Sequence, residues 1–215
     1  MDPGVLGGAG VNALRQIPLP FDVKRLPQGF FGAECCNLLY QLAARAGSVL
    51  EIGSWVGRST TVIAYAIQGR QVPFVTMDYF VQTDEEWRER FRQNLSDKRN
   101  AHRYRKFMDQ DGGSLAALKQ HLTERGVRSL VEIIHGDVVA HDFGSRQFDL
   151  IFCDATHWEW EIDRTVPRCL QLLRPGGVLA CHDITTPALE AAVLKHGQWD
   201  WHHVDHKLFY GQVAA

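Results

Sequence analysis

Leu50-Glu51-Ile52-Gly53-Ser54-Trp55-Val56-Gly57-Arg58-Ser59-Thr60 decides the fold. Ser48 to Ile52 is a short β run that stops at Gly53, Ser54 to Gly57 is a turn, and Arg58 to Ile67 has helical spacing. The pattern recurs along the chain. Pro73 to Asp78, Val131 to His135, Phe148 to Cys153 and Val178 to Cys181 are apolar runs, the last entered through a tight turn, Arg174-Pro175-Gly176-Gly177. Helices are expected over Phe31 to Ala46, Glu159 to Leu173 and Pro187 to Lys195, with a charged helical stretch over 84–125 broken near Asp111-Gly112-Gly113. Pro167 must lie in the first turn of its helix or kink it. Trp199 to Val213 reads as a closing pair of strands around Asp205-His206. Strands that are apolar throughout and alternate with helices predict a sheet covered on both faces. The fold class is α/β: an open, doubly wound, mostly parallel sheet with a C-terminal antiparallel pair.

The rest of the chain bounds this core. Residues 1–30 hold Gly4, Gly7, Gly8, Gly10, Pro18, Pro20 and Pro27 without a sustained period, which gives an arm that is mobile or draped over the active site. Residues 31–215 form one domain with a helical insertion at about 79–114. At 24.3 kDa the chain buries roughly 70% of its unfolded surface, enough for one self-sufficient core. With 23 Lys+Arg against 25 Asp+Glu, the formal charge of −2 excludes a dominantly electrostatic nucleic-acid binder. It equally excludes charge-driven disorder. No apolar run approaches the roughly 18–20 residues of a membrane span, and no signal-peptide pattern opens the chain. Cys35, Cys36, Cys153, Cys169 and Cys181 are expected to be buried, reduced thiols, which points to the cytoplasm.

In open α/β sheets, ligands bind outside the carboxyl ends of the strands. Here those ends carry Glu51 and Gly53, Asp78, Asp137, Asp154, and His182-Asp183. One such acid alone is usually a helix cap or a solvated loop residue; five in series are hard to obtain from capping. The glycines of the first loop let a ligand approach the backbone, and the helix beyond offers free N–H groups. Asp78, 25 residues after Gly53, stands where an acid in a nucleotide-binding βαβ unit reaches ribose hydroxyls. The loop lacks the third glycine of GxGxxG, which serves a pyrophosphate poorly, and lacks GxxxxGK[ST], which disfavours a nucleoside triphosphate. A nucleoside with little or no phosphate remains.

From about Phe31 to Val213 the chain resembles class I S-adenosylmethionine-dependent methyltransferases. The Leu50 to Thr60 motif is similar to that of the catechol O-methyltransferase branch, and the fold implied is Rossmann-like. The resemblance implies that Glu51, Gly53, Ser54, Gly57 and Ser59 surround the methionine portion of the cofactor. It places Asp78 on the ribose and Asp137 with Val138 beside the adenine. Phe148 to His157 and Leu172 to Asp183 are similar to natural-product and sugar O-methyltransferases near the macrocin O-methyltransferase group. Those proteins hold Mg²⁺ between an Asp ending the fourth strand and an acidic pair after the fifth. Asp154 and Asp183 match; His182 stands where a second acid or an Asn is common, and Thr156 replaces a frequent Asp. The implied metal set is Asp154, His182 and Asp183. The residue three after the metal Asp is the general base in that group, and here it is His157. An imidazole with a near-neutral pKa can take a hydroxyl proton as the methyl moves in line. The plain alternative is that His157 and Asp183 only cap the helices that follow them.

The leading reading is therefore methyl transfer to a hydroxyl of a small molecule: a secondary metabolite, phenol or sugar. A metal-independent N- or O-methyltransferase is the runner-up. A nicotinamide-dependent oxidoreductase shares the sheet and the ribose acid but is opposed by the missing glycine, and a cofactor-binding protein without catalysis is opposed by His157. The expected partner is a small-molecule acceptor, with no nucleic acid and no membrane, and a homodimer is compatible with this. Lys98 to Phe107 is basic and reads as a solvated helix face, because Asp84, Glu85, Glu86, Glu89 and Asp97 precede it. The insertion and the arm are the expected builders of the acceptor pocket, with Trp158 or Trp160 as a wall. His202, His203 and His206 fit no zinc spacing.

Overall fold

The computed structural model describes residues 17–197, 199–204 and 207–213; residues 1–16 of the arm and the Asp205-His206 turn lie outside the described residues. The strands are β1 (Val49–Ile52), β2 (Phe74–Asp78), β3 (Glu132–His135), β4 (Phe148–Cys153), β5 (Leu173–Cys181), β6 (Trp199–Val204) and β7 (Leu208–Val213). The helices are α1 (Ala33–Arg45), α2 (Arg58–Ile67), α3 (Asp84–Phe91), α4 (Ala101–Met108), α5 (Gly113–Glu124), α6 (Glu159–Leu172) and α7 (Pro187–Leu194). The strands form one sheet in the order β3-β2-β1-β4-β5-β7-β6. β1 to β5 are parallel, and β7 runs antiparallel between β5 and β6. The chain winds outward from β1 through β2 to β3, then crosses back to β4. That reversal opens a crevice at the carboxyl ends of β1 and β4.

Side chains alternate across the pleat, so each strand feeds two cores. Leu150 and Phe152 pack with α1, α2 and α5, while Ile151 and Cys153 pack with α6 and α7. Both faces are covered, which is why these strands carry no polar alternation in sequence. β3 is one of the two edge strands, and its Glu132 and His135 are exposed. The five cysteines are free and buried. No helix of the described residues is long and apolar enough to cross a membrane.

Two expectations need correction, and one alternative is resolved. The Arg174-Pro175-Gly176-Gly177 turn does not precede β5 but lies inside it. Phe148 pairs with Leu173 and Leu150 with Val178, so the turn is extruded between two pairings of the same strands. Pro167 lies inside α6 past its first turn, so of the two places the sequence allowed it the first-turn one drops out; it leaves the Asp163 carbonyl without its donor four residues on. The Lys98 to Phe107 stretch is not simply a solvated face. His102, Arg105 and Lys106 are exposed, but Lys98 and Tyr104 are drawn in and Phe107 is buried. The insertion has its own small core, with Val81, Trp87 and Leu95 packed against Tyr79, Phe91, Ala101, Tyr104 and Met108. Burying one such aromatic contributes roughly 2–3 kcal/mol, enough to seat this segment as a roof over the crevice.

Candidate active site

A cleft of about 1230 Å³, open solvent at its mouth included, occupies the reversal between β1 and β4. Gly53, Ser54, Ser59, Asp78, Val138, Asp154, His157, His182 and Asp183 line it. The structure thus brings together nine of the residues singled out from the sequence. Glu51, Gly57 and Asp137 are not on its wall.

Glu51 points to the α2 side of the sheet and is fully buried. Its carboxylate accepts hydrogen bonds from Ser59 Oγ at 2.5 Å, Thr60 Oγ1 at 2.6 Å and Thr76 Oγ1 at 2.7 Å. It therefore ties β1 to β2 and to the first turn of α2, directly behind the cleft. Burial pushes its pKa up to about 7, against the pull of the three hydroxyls and with a smaller push from Asp154. Asp137 is engaged at the surface by Arg164, whose guanidinium also donates to Tyr79 Oη at 3.2 Å.

The loop after β1 is shaped for close approach. Gly53 has φ 90°, and a Cβ there would stand 2.6 Å from the Asp154 carbonyl oxygen, so a side chain would force β1 and β4 apart. Trp55, Phe80 and Asp183, at φ 44°, 46° and 61°, hold left-handed backbone around the same cleft. Such strain persists only where the surroundings enforce it. Asp78 does so for two of them, accepting from Trp55 N at 2.7 Å and Phe80 N at 2.9 Å. Burial raises the Asp78 pKa despite those bonds. Ser54 Oγ is buried on the cleft wall and has no hydrogen-bond partner among the described residues. A side-chain-free Gly53, an unsatisfied Ser54 hydroxyl, and Asp78 and Asp154 carboxylates beside apolar Met77 and Val138 suit a cationic nucleoside such as S-adenosylmethionine.

Asp154, His182 and Asp183 each bring one donor atom to within 4.8 Å of the others. His182 Nδ1 lies 2.9 Å from Asp154 Oδ1 and 3.6 Å from Asp183 Oδ1. Burial opposes a charge on this ring, yet the Asp154 carboxylate and its hydrogen bond lift the imidazole to about 10. Burial pushes the Asp154 carboxyl up, but His182 pulls it below the ordinary carboxylate range. Each partner thus favours the charged form of the other. Mg²⁺ takes oxygen donors in a near-octahedral set, so the two carboxylates suit it and the His182 nitrogen between them does not.

His157 stands at the other end of this group. Its Nδ1 is buried 3.5 Å from Glu161 Oε2, and its Nε2 lies 3.5 Å from Asp183 Oδ2. Nε2 is thus the nitrogen left to face the cleft. Glu161 also accepts from the His157 backbone N–H at 2.9 Å, holding ring and main chain together at the start of α6. Burial lowers the His157 pKa, but Glu161 and Asp154 outweigh it and raise it above the ordinary imidazole value.

Sequence reasoning missed Glu161, although an acid in the first turn of α6 four residues after His157 was there to be read. The roof joins the arm to the insertion, the two segments from which an acceptor pocket was expected. Phe30 stacks on Trp55 with centroids 5.7 Å apart, and Tyr104 lies 5.0 Å from Trp55 and 4.8 Å from Trp87. Arg58 clamps the arm over the cleft, donating to the carbonyls of Phe31 at 2.7 Å, Pro27 at 3.0 Å and Val23 at 3.4 Å. Gln28, Gly29 and Phe30 of that arm, with Phe31 just after it, line the cavity.

Residues 50–184 match a family model described as a methyltransferase domain. No curated protein matches the sequence. Among solved structures, a cofactor-bound Rv0187 from MTB is 20% identical over 88% of this chain and 84% of that one, with a TM-score of 0.57. The O-methyltransferase TomG from Streptomyces achromogenes, involved in tomaymycin synthesis and solved in complex with SAM, is 21% identical. The match covers 83% of this chain and 78% of that one, with a TM-score of 0.52. A methyltransferase from Geobacter sulfurreducens is 16% identical over 86% and 82%, with a TM-score of 0.57. The sheet order, the cleft at its switch point and the match over residues 50–184 agree: the chain belongs to the methyltransferase-domain family and has the class I S-adenosylmethionine-dependent methyltransferase fold.

Proposed function

We propose that this protein transfers a methyl group from S-adenosylmethionine to a hydroxyl of a small molecule, with His157 as general base and without a metal ion. The observation that carries the reading is His157 itself. Its imidazole shares one cleft with Asp78, Asp154 and Ser54 and is backed by Glu161. The tomaymycin-pathway O-methyltransferase of like fold supports oxygen as the acceptor atom. Gly53, Ser54, Asp78, Val138 and Asp154 would hold the cofactor, which when bound supplies an electrophilic methyl and leaves as S-adenosylhomocysteine. Nε2 of His157 takes the acceptor's proton while the oxygen's electron pair forms the new bond to carbon. The roof excludes water, and the cleft walls hold acceptor and donor in line, where positioning lowers the barrier.

The test is a screen of phenolic, sugar and macrolide-type acceptors for S-adenosylhomocysteine release, run with Mg²⁺ and with EDTA. Release should be the same in both arms, and turnover lost with EDTA would refute the metal-free reading. His157→Ala should lower turnover by about 10²–10⁴ with S-adenosylhomocysteine affinity intact. Near-wild-type turnover would remove His157 from the mechanism. Tight binding of NAD(H) in place of S-adenosylhomocysteine would replace the reading altogether.

A further inference from the structure

We infer that Lys98, carried on the insertion, is the cation that binds the acceptor's reacting oxygen, and that the acceptor is therefore a phenol or enol rather than a sugar alcohol. The inference rests on the methyl-transfer reading and assigns the substrate class of that same cleft.

The side chain of Lys98 lines the cleft. Its Nζ lies 5.2 Å from the ring centroid of Trp87, 5.6 Å from Tyr104 and 5.1 Å from Trp158. Those rings come from α3, α4 and the residue before α6, so the cage spans the insertion and the core. The backbone is fixed as well: Lys98 N donates to Leu95 O and Lys98 O accepts from Ala101 N, both at 3.0 Å, beside a buried Leu95. Among the described residues no carboxylate stands within ion-pair distance of Nζ, and no hydrogen bond engages it. The carboxylates of Glu161, Asp183 and Asp154 act on it from farther off, and it in turn acts on the His157 imidazole.

Aromatic faces stabilise an ammonium but accept hydrogen bonds poorly. Lys98 is thus a half-buried cation with unused donors turned into a cavity. An oxygen gaining negative charge is what such a group binds, and a charge-assisted bond of this kind is short and strong. Without Lys98, the three nearby carboxylates would repel an acceptor oxyanion. With it, the oxygen sits between an ammonium that lowers its pKa and a His157 Nε2 that takes its proton. One ammonium and one imidazole suffice for a hydroxyl of phenol acidity. An alcoholic sugar hydroxyl, several pKa units weaker, needs more. The stacked rings of Phe30 and Trp55, with Tyr104 tilted against both, supply an aromatic wall for such an acceptor.

The probe is 4-nitrophenol, which is yellow only as the phenolate, titrated at its own pKa into wild-type protein saturated with S-adenosylhomocysteine. The wild type should enrich the phenolate among bound probe. Lys98→Met should bind the phenolate about tenfold more weakly and abolish the enrichment, with S-adenosylhomocysteine affinity unchanged, and Lys98→Arg should restore part of it. Enrichment absent in wild type, or equal in Lys98→Met, would overturn the role of Lys98 while leaving the methyl-transfer reading standing. Failure of wild type to bind S-adenosylhomocysteine would overturn both.

Discussion

Replacing Glu51 by Gln removes an ionisation that the fold accommodates poorly. Burial raises this carboxyl from its ordinary 4.5 to about 7, the hydroxyls of Ser59, Thr60 and Thr76 pulling the other way. The folded chain then holds the proton more tightly than the unfolded chain. This group's contribution to stability is therefore fully present below pH 4.5, falls as pH rises toward 7, and stays low above that. At about 1.4 kcal/mol per tenfold change in proton affinity, the full loss is about 3 kcal/mol. A glutamine in this place keeps the cradle filled, because its amide oxygen can accept from Thr60 and Thr76 while its NH₂ donates to Ser59. Glu51→Gln should therefore match wild type near pH 5 and exceed it by up to about 3 kcal/mol at pH 8, or roughly 6–12 °C in Tm for a chain of this size. Urea denaturation followed by tryptophan fluorescence at both pH values measures it, with midpoints shifting at constant slope. A stability difference between the two proteins that is the same at pH 5 and pH 8 would refute the reasoning. So would a wild type that is the more stable at pH 8, since the hydroxyls would then be holding a carboxylate at no net cost.

Glu161→Gln keeps the hydrogen bond to the His157 backbone but removes the charge that helps raise the imidazole. The ascending limb of kcat/KM against pH should move down by about one pH unit, and an unmoved limb would dissociate Glu161 from His157. Arg58→Ala leaves the carbonyls of Val23, Pro27 and Phe31 without their clamp. Amide exchange over residues 19–31 should accelerate by about tenfold or more while the β4 amides stay protected; uniform acceleration would mean that Arg58 supports the whole fold instead.

The fold was legible because its signals are local. Arg58–Ile67 is the helix read from the sequence, since Gly57, at φ 95°, supplies the left-handed turn that starts it. β4 ends at Cys153 as read, because the apolar run stops where the chain enters the cleft. What was not legible depends on partners far along the chain. Asp137 looks like the other strand-end acids until Arg164, 27 residues later, engages it from α6. Glu51 looks like them too, until the pleat turns it toward α2 and away from the ligand. Lys98 sits among acids and other cations that suggest solvent. Only the packing of Trp87 from one side and Trp158 from another draws it inward. An acid at a strand end is therefore a weak sign of a ligand until its side of the sheet is known.

The two halves of the cleft are held by different forces, and this bears on how it works. Its floor hangs on the sheet: Gly53 N donates to Met77 O, Asp154 N to Ile52 O and His182 N to Cys153 O, all at 2.8–2.9 Å. The groups on the cleft floor inherit that rigidity. The roof is held by ring contacts and by the guanidinium groups of Arg58, Arg105 and Arg125, interactions that loosen at lower cost than a parallel sheet. Under the assignment of Lys98 proposed above, the roof carries the ammonium and the floor carries the His157 imidazole, so the acceptor oxygen is activated only where both walls stand together, in a space that the same rings close to water.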